Sequence, residues 1–241
     1  APVARQPRQT PAAAAPRVGG GGWQSMADLA HGRIAVFTGT AQDMFATRAF
    51  PRAEILRFNS QADFVLALKT GKVDAAITEA VSIRAIAQDD PELAVLADDF
   101  YDMPIGAAFP KGDERFRQRF DRFVAAARAD GTLAGIQRRW LVDHPESVLM
   151  PDIPPATAGE TLRVGTSLMV GLPFIAQADG RYIGHDMEVL QTFAAREGLR
   201  LEMVPTEFDA LIASLAVGKI DMILSRLSIT DERHTKVEFS V

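Results

Sequence analysis

The chain has 241 residues, 47% of them apolar, enough for one large domain or two smaller lobes with a real core. A net charge of −5 argues against a nucleic-acid or anionic-membrane surface. The absence of cysteine excludes disulfides, zinc thiolate sites and cysteine nucleophiles, and no apolar run approaches the roughly 18 residues of a membrane helix.

Residues 1–25 read as a flexible tether. Ala-Pro repeats between Pro11 and Pro16 lead into Gly19 to Gly22, a composition that cannot bury apolar area. No strand pattern precedes these glycines and no Gly-Lys-Ser/Thr follows them, which argues against a phosphate loop. The chain opens on Ala1 instead of methionine, which fits a leader already removed.

Ordered patterning begins at Met26. Arg33–Phe37 predicts a strand, Thr38-Gly39-Thr40 a turn and Gln42–Arg48 a helix. Ala53–Phe58 predicts a strand, Ala62–Thr70 a helix, Val73–Ile77 a strand, Val81–Gln88 a helix and Ile105–Phe109 a strand. Arg115–Arg128 and Leu133–Leu141 predict amphipathic helices separated by Asp130-Gly131. A Pro-rich linker follows, and then the alternation restarts. Leu162–Gly165 predicts a strand, Asp186–Glu197 a helix closed by Gly198, Arg200–Val204 a strand, Phe208–Ala216 a helix and Ile220–Leu224 a strand. This alternation predicts an α/β protein with mostly parallel sheets flanked by helices. One internal repeat is visible. A helix beginning near Asp63 runs into Gly71-Lys72-x-Asp74, and one beginning near Asp209 runs into Gly218-Lys219-x-Asp221. The match predicts two related lobes.

The last stretch, Asp221 to Val241, carries the most chemistry. A buried strand at Met222-Ile223-Leu224 leads into a polar turn and a helix start, capped by Thr230 or Ser228, with Asp231 and Glu232 in its first turn. The turn gathers the hydroxyls of Ser225 and Ser228, backbone N–H groups and Arg233. A guanidinium fork offers a carboxylate two parallel charge-assisted bonds, and a helix start favours negative charge. The plain alternative is a capped turn with no ligand.

Ser228-Ile229-Thr230-x-Glu232-Arg233, followed by Val237-x-Phe239-Ser240, resembles the amino-acid-binding periplasmic solute-binding proteins, family 3 of the bacterial extracellular solute-binding proteins. These are two-lobed Venus-flytrap modules. Ala27 to Thr40, Phe58-Asn59-Ser60 and Gly71 to Ala75 resemble that family's second lobe. Ile105 to Lys111 resembles its second hinge strand, and Asp130 to Trp140 its terminal helices. Leu162 to Thr166, Pro173-Phe174, Gly184 to Asp186 and Gly218 to Asp221 resemble its first lobe. The resemblance implies a two-lobed periplasmic-binding-protein-like fold. Its parts are a second-lobe-like domain over residues 26–108, terminal helices over 109–142 packing on the first lobe, a linker over 143–160 and a first-lobe-like domain over 161–241. The lobe order is inverted, and the hinge that follows Phe-Ser in the family is not reached before Val241. A circular permutant is the expectation, and a fragment of a tandem array the alternative.

The resemblance also implies roles. Arg233 matches the carboxylate-gripping arginine, Ser228 a donor to the same carboxylate, and Ser225 the strand end turned toward ligand. Phe208 matches the apolar wall, and Pro173-Phe174 a Pro-aromatic pair, with Phe174 a further wall. Thr38, Gly39 and Thr40 match a turn whose N–H and hydroxyl groups reach the carboxylate. Glu79 stands where the family has an aspartate for the α-ammonium. Arg226 replaces a small residue. Pointing inward, it favours an anionic ligand side chain; pointing outward, it is a solvated charge. Asp186 reads as the cap of the helix that follows, and His31, His144, His185 and His234 show no metal spacing.

The implied function is extracytoplasmic binding of an amino acid or similar small zwitterionic or anionic solute by lobe closure. It would serve ABC-type import with a permease, in the periplasm, tethered to the membrane by the N-terminal region, without a cofactor. The alternatives are a ligand-sensing module of a membrane kinase or cyclase, and a dehydratase or lyase on the same fold. For an enzyme, Glu79 is the only acid–base candidate.

Overall fold

Each alternating stretch builds its own sheet. The computed structural model describes residues 12–14, 26–88, 90, 93, 95, 104–142, 149–169 and 171–240. The chain divides into two compact units, Ala1–Ile105 and Gly106–Val241.

In the first unit, β1 (Ala12–Ala14) and a 3-10 turn (Met26–His31) precede β2 (Arg33–Phe37), α1 (Ala41–Ala49) and β3 (Glu54–Phe58). There follow α2 (Gln61–Lys69), β4 (Ala75–Glu79) and α3 (Ala80–Gln88). The sheet order is β1-β4-β2-β3, with β2 parallel to both neighbours and β1 antiparallel at the edge. Alternation along β2 sorts the core. Ile34 and Val36 pack with Ala46 and Phe50 of the α1 side, while Phe37 stacks on Phe64 of α2 at 4.5 Å between centroids.

The tether expected over residues 1–25 is interrupted, because Ala12–Ala14 pair with Ile77–Glu79. The edge of β4 offers N–H and C=O groups to any extended backbone, so three alanines can join it through main-chain pairing. The rest of the expected tether lies outside the described residues.

In the second unit, β5 (Ala108–Pro110), α4 (Arg115–Ala129) and α5 (Thr132–Leu141) precede β6 (Thr161–Thr166). The hairpin β7 (Ala176–Ala178) and β8 (Arg181–Ile183) leads to α6 (His185–Glu197), β9 (Arg200–Pro205) and a 3-10 turn (Phe208–Ala210). The unit ends with α7 (Leu211–Ala216), β10 (Met222–Ile223), α8 (Asp231–His234) and β11 (Val237–Phe239). The sheet order is β11-β5-β10-β6-β9, with β9, β6 and β10 parallel. The strand expected at Ile105–Phe109 belongs to this sheet from Gly106 onward: Gly106 N–H donates to the Leu227 carbonyl at 3.1 Å, and Ala108 faces Ile223. The boundary therefore lies before Gly106 and not after residue 108.

The apolar faces of α4 and α5 pack on this sheet together with α6. Phe120, Phe123 and Trp140 share one core with Leu162, Val164 and Phe193. On the opposite face α7 crosses at Gly165, where an added Cβ would lie 2.3 Å from Ile220 Cδ1 and 3.1 Å from Leu211 Cδ2.

The sequence repeat is also a structural one. Arg33 donates from its backbone N–H and Nε to Asp74 Oδ2 at 2.8 and 3.0 Å, and from Nη2 to Oδ1 at 2.6 Å. Arg163 and Asp221 repeat the three bonds at 3.0, 2.9 and 2.7 Å. The helix before each aspartate stops at a left-handed glycine, Gly71 at φ 68° and Gly218 at φ 70°.

The Arg33 bonds hold Asp74 below the ordinary carboxylate value. Burial pushes Asp221 up, but the bonds from Arg163 outweigh it and Asp221 is held low as well. Both values are depressed in the folded chain. Their stabilisation is therefore complete above about pH 4 and is lost as pH falls through the folded values. Asp221→Asn is expected to cost about 1–3 kcal/mol in urea unfolding at pH 7. The gap from the parent should narrow at about pH 3. An equal loss at both pH values would contradict the clamp.

Candidate functional site

The parallel strands β9, β6 and β10 end at one edge of the second sheet, the edge outside which α/β sheets bind ligands. Phe174 lies in the loop after β6, Phe208 opens the 3-10 turn after β9, and Ser225 to Arg233 follow β10. Six of the ten residues singled out from the sequence thus lie in the segments that follow these strands at this edge, with Arg233 in α8 and Phe208 in the 3-10 turn.

Arg233 is only 7% exposed. Thr230, in extended conformation, accepts its N–H on Oγ1 at 3.2 Å and caps α8, so the choice between Thr230 and Ser228 falls to Thr230. The Arg233 Nη1 donates to the Ser228 carbonyl at 2.9 Å, and the guanidinium carbon lies 5.7 Å from the Phe208 ring centroid. Burial pushes this guanidinium below its ordinary value. A cation held out of water attracts an anion more strongly than a solvated one. Because α8 has four residues, the helix start expected to favour negative charge supplies little dipole, and Arg233 supplies the charge.

The loop after β10 is tied to the loop after β6, since the Ser167 N–H donates to Ser225 Oγ at 2.9 Å. Arg226 follows in the left-handed region at φ 55°. It is 8% exposed, with its guanidinium carbon 4.0 Å from the Phe174 ring centroid. The outward, solvated alternative is therefore overturned. Phe174 is itself 1% exposed, so the wall expected there is a core ring serving as a platform for Arg226.

Two residues of this edge were not singled out from the sequence. Ser167 bridges the two loops, and Thr166 is fully buried with an Oγ1 that has no partner among the described residues. Their signal was a pair of adjacent hydroxyls, Thr166 and Ser167, where a buried apolar strand ends. Asp186 does not cap α6, whose N-cap is Gly184; its Oδ1 lies 2.8 Å from His185 Nδ1.

The remaining candidates belong to the first unit. Thr38 to Thr40 follow β2, and Glu79 ends β4, half-buried, at the same edge of neighbouring parallel strands. The turn does not offer its donors as expected. The N–H groups of Thr38, Gly39 and Thr40 donate to the Phe58 carbonyl, Asp43 Oδ2 and the Phe37 carbonyl at 3.0, 3.1 and 3.3 Å. The hydroxyls of Thr38 and Thr40 donate to the same two carbonyls. Asp43, 7% exposed and paired with Arg57 at 2.9 Å, occupies the place at the start of α1 that a ligand anion would take. Its signal was the Thr40-x-x-Asp43 spacing of a helix start. Among the described residues no cluster of His, Asp and Glu could hold a metal ion, and no helix is long and apolar enough to cross a membrane.

Residues 162–241 match the model of bacterial extracellular solute-binding proteins, family 3. A probable histidine-binding protein of Campylobacter jejuni is 41% identical over 80 residues, covering 33% of this chain and 31% of that protein. The lysine/arginine/ornithine-binding periplasmic protein of Escherichia coli is 40% identical over 86 residues, covering 35% of this chain and 33% of that protein. The chain thus spans about a third of the length of these curated relatives. An ancestral arginine-binding protein solved with arginine aligns at TM-score 0.52 and 20% identity, over 55% of this chain and 60% of that one, a likeness of fold. The fold is that of the periplasmic binding proteins. The strand-edge cluster around Arg233 falls inside the segment, residues 162–241, that is similar to the bacterial extracellular solute-binding proteins, family 3.

Proposed function

We propose that this chain binds an amino acid or a similar small solute outside the cytoplasm, as the binding component of an ABC importer. The observation that carries this reading is Arg233, a guanidinium almost wholly buried at the ligand-binding edge of the sheet. A buried cation there draws an anion more strongly than a solvated one would. The α-carboxylate of an amino acid fits its planar fork. Arg233 grips the carboxylate, Ser228 adds a hydroxyl beside it and Phe208 forms an apolar wall. The names of the relatives, which bind histidine or the basic amino acids lysine, arginine and ornithine, support the amino-acid class.

A thermal-shift screen of the chain against the twenty amino acids and small organic acids tests the proposal. Binding to the folded state stabilises it by about 2.7 kcal/mol at a hundredfold excess over Kd. A clear rise in Tm with at least one amino acid is expected, and a flat screen would overturn the reading.

A further inference from the structure

We infer that the cleft along β9 is a second binding site, one that takes a short extended peptide by adding it to the edge of the sheet. The cleft has a volume of about 480 Å³, within the range of about 300–1,000 Å³ that small-ligand sites occupy. It lies within the second unit, and Arg233 is not among the residues that line it. One wall is β9 and the other is the segment of residues 153–156. Buried Met187 and Ala194 of α6, together with Leu199, give the cleft an apolar lining.

The β9 wall carries hydrogen-bonding groups that the sheet leaves open. In the described sheet β9 is an edge strand paired with β6. Along a strand the N–H and C=O of each residue point to one side, and successive residues alternate sides. The Arg200 N–H donates to the Glu160 carbonyl and the Thr206 N–H to the Thr166 carbonyl, both at 2.9 Å on the β6 side. Leu201 and Met203 therefore turn their N–H and C=O away from β6, and both residues line the cleft. Among the described residues no backbone bond outside the β6 pairing reaches either of them.

The opposite wall cannot close on this edge. Pro154 and Pro155 carry no N–H, so the segment lacks the donors that a neighbouring strand supplies. Among the described residues, 153–156 make no backbone-to-backbone hydrogen bond. What fits between the walls is a chain with a donor and an acceptor on one side at alternate residues, which is a peptide in extended form. Three residues, spanning about 7 Å, are enough to pair with both Leu201 and Met203. Arg200 and Glu202, which also line the cleft, are of opposite sign. The cleft therefore favours an uncharged peptide with apolar side chains.

Titration calorimetry of the full chain with N-acetyl-Val-Leu-Val-amide tests this. The capped peptide has no free carboxylate or ammonium, so its binding is read apart from the amino-acid site proposed above. Saturable binding is expected, and hydrogen exchange at the Leu201 and Met203 amides should slow roughly tenfold at saturation. The same peptide is also titrated N-methylated at its leucine, and N-methylated at both valines. One of these sets of amides faces β9 and the other faces away, so the two forms should differ by at least about fivefold in Kd, the worth of one hydrogen bond. Ala195→Trp changes an exposed residue that lines the cleft, and should abolish peptide binding while the Tm of the free chain is kept. Absence of saturable binding, equal binding of the two methylated forms, or undiminished binding by Ala195→Trp would each overturn the site.

Discussion

Replacing Arg233 with alanine is expected to abolish ligand binding while leaving the apo chain folded. Truncating one partner of a buried, hydrogen-bonded charge pair costs about 2–5 kcal/mol, or roughly 30- to 4,000-fold in Kd. The effect on folding has a different sign. Burial already pushes the Arg233 guanidinium below its ordinary value, so the folded chain holds this cation at a cost. Removing it also leaves the Ser228 carbonyl without its 2.9 Å donor, a loss of about 1 kcal/mol that works against the gain. The apo Tm should therefore move by only a few degrees, while the ligand-induced shift disappears. Arg233→Lys keeps the charge but loses the planar fork, and should bind at least about tenfold more weakly. Calorimetric titration with the best ligand from the screen separates these outcomes. An alanine variant that binds as the parent does would remove Arg233 from the site.

Trp140→Ala should produce the largest loss of stability in the second unit. Trp140 is fully buried in the core that α5 shares with β6 and α6, and its Nε1 donates to Glu188 Oε2 at 2.6 Å. Deleting a buried tryptophan side chain costs about 3–5 kcal/mol. Among the described residues, the Glu188 carboxylate, 3% exposed, would keep the two bonds from Arg139 at 3.1 Å. Against a typical total of about 5–15 kcal/mol, this is a large share. It corresponds to a fall of roughly 10–20 °C in Tm for a unit of this size. Trp140→Phe keeps most of the apolar volume and loses the hydrogen bond, so its Tm should fall much less. Thermal melts followed by circular dichroism check both variants. A melt of Trp140→Ala within about 3 °C of the parent would contradict the packing of α5 against this sheet.

Much of the fold was legible because burial follows simple periods. The apolar run Arg33–Phe37 is a strand with those bounds, and the period of Arg115–Arg128 and Leu133–Leu141 matches α4 and α5 to within a residue at each end. The Gly71-Lys72-x-Asp74 and Gly218-Lys219-x-Asp221 repeat was legible because each glycine must adopt a left-handed turn and each aspartate meets an arginine on a neighbouring strand.

What was missed depended on short elements and on partners far away in sequence. The hairpin β7–β8 turns at Asp179 and Gly180, both at positive φ, and the Asp-Gly pair is a known turn signal. Its three-residue strands, polar at Gln177 and Arg181, were too short to show an alternation. The pairing of Ala12–Ala14 with β4 could not be read from alanines alone, because the pairing comes from the edge they meet. In the site, Arg233 and its threonine cap were legible as local pattern. The closed hydrogen bonding of Thr38 to Thr40 was not, because Phe58, which accepts from Thr38, comes from another strand. Nor could the sequence decide the direction of Arg226, which is set by a ring contributed from the loop after β6.

The central claim is that Arg233 grips an α-carboxylate. The most direct measurement compares, by titration calorimetry, the best amino-acid ligand with its α-methyl ester, which keeps the ammonium and side chain and removes one charge. The amino acid should bind and the ester should bind about a hundredfold more weakly, with the difference gone in Arg233→Ala. An ester that binds within about threefold of the amino acid would contradict the carboxylate grip and place Arg233 in the fold alone.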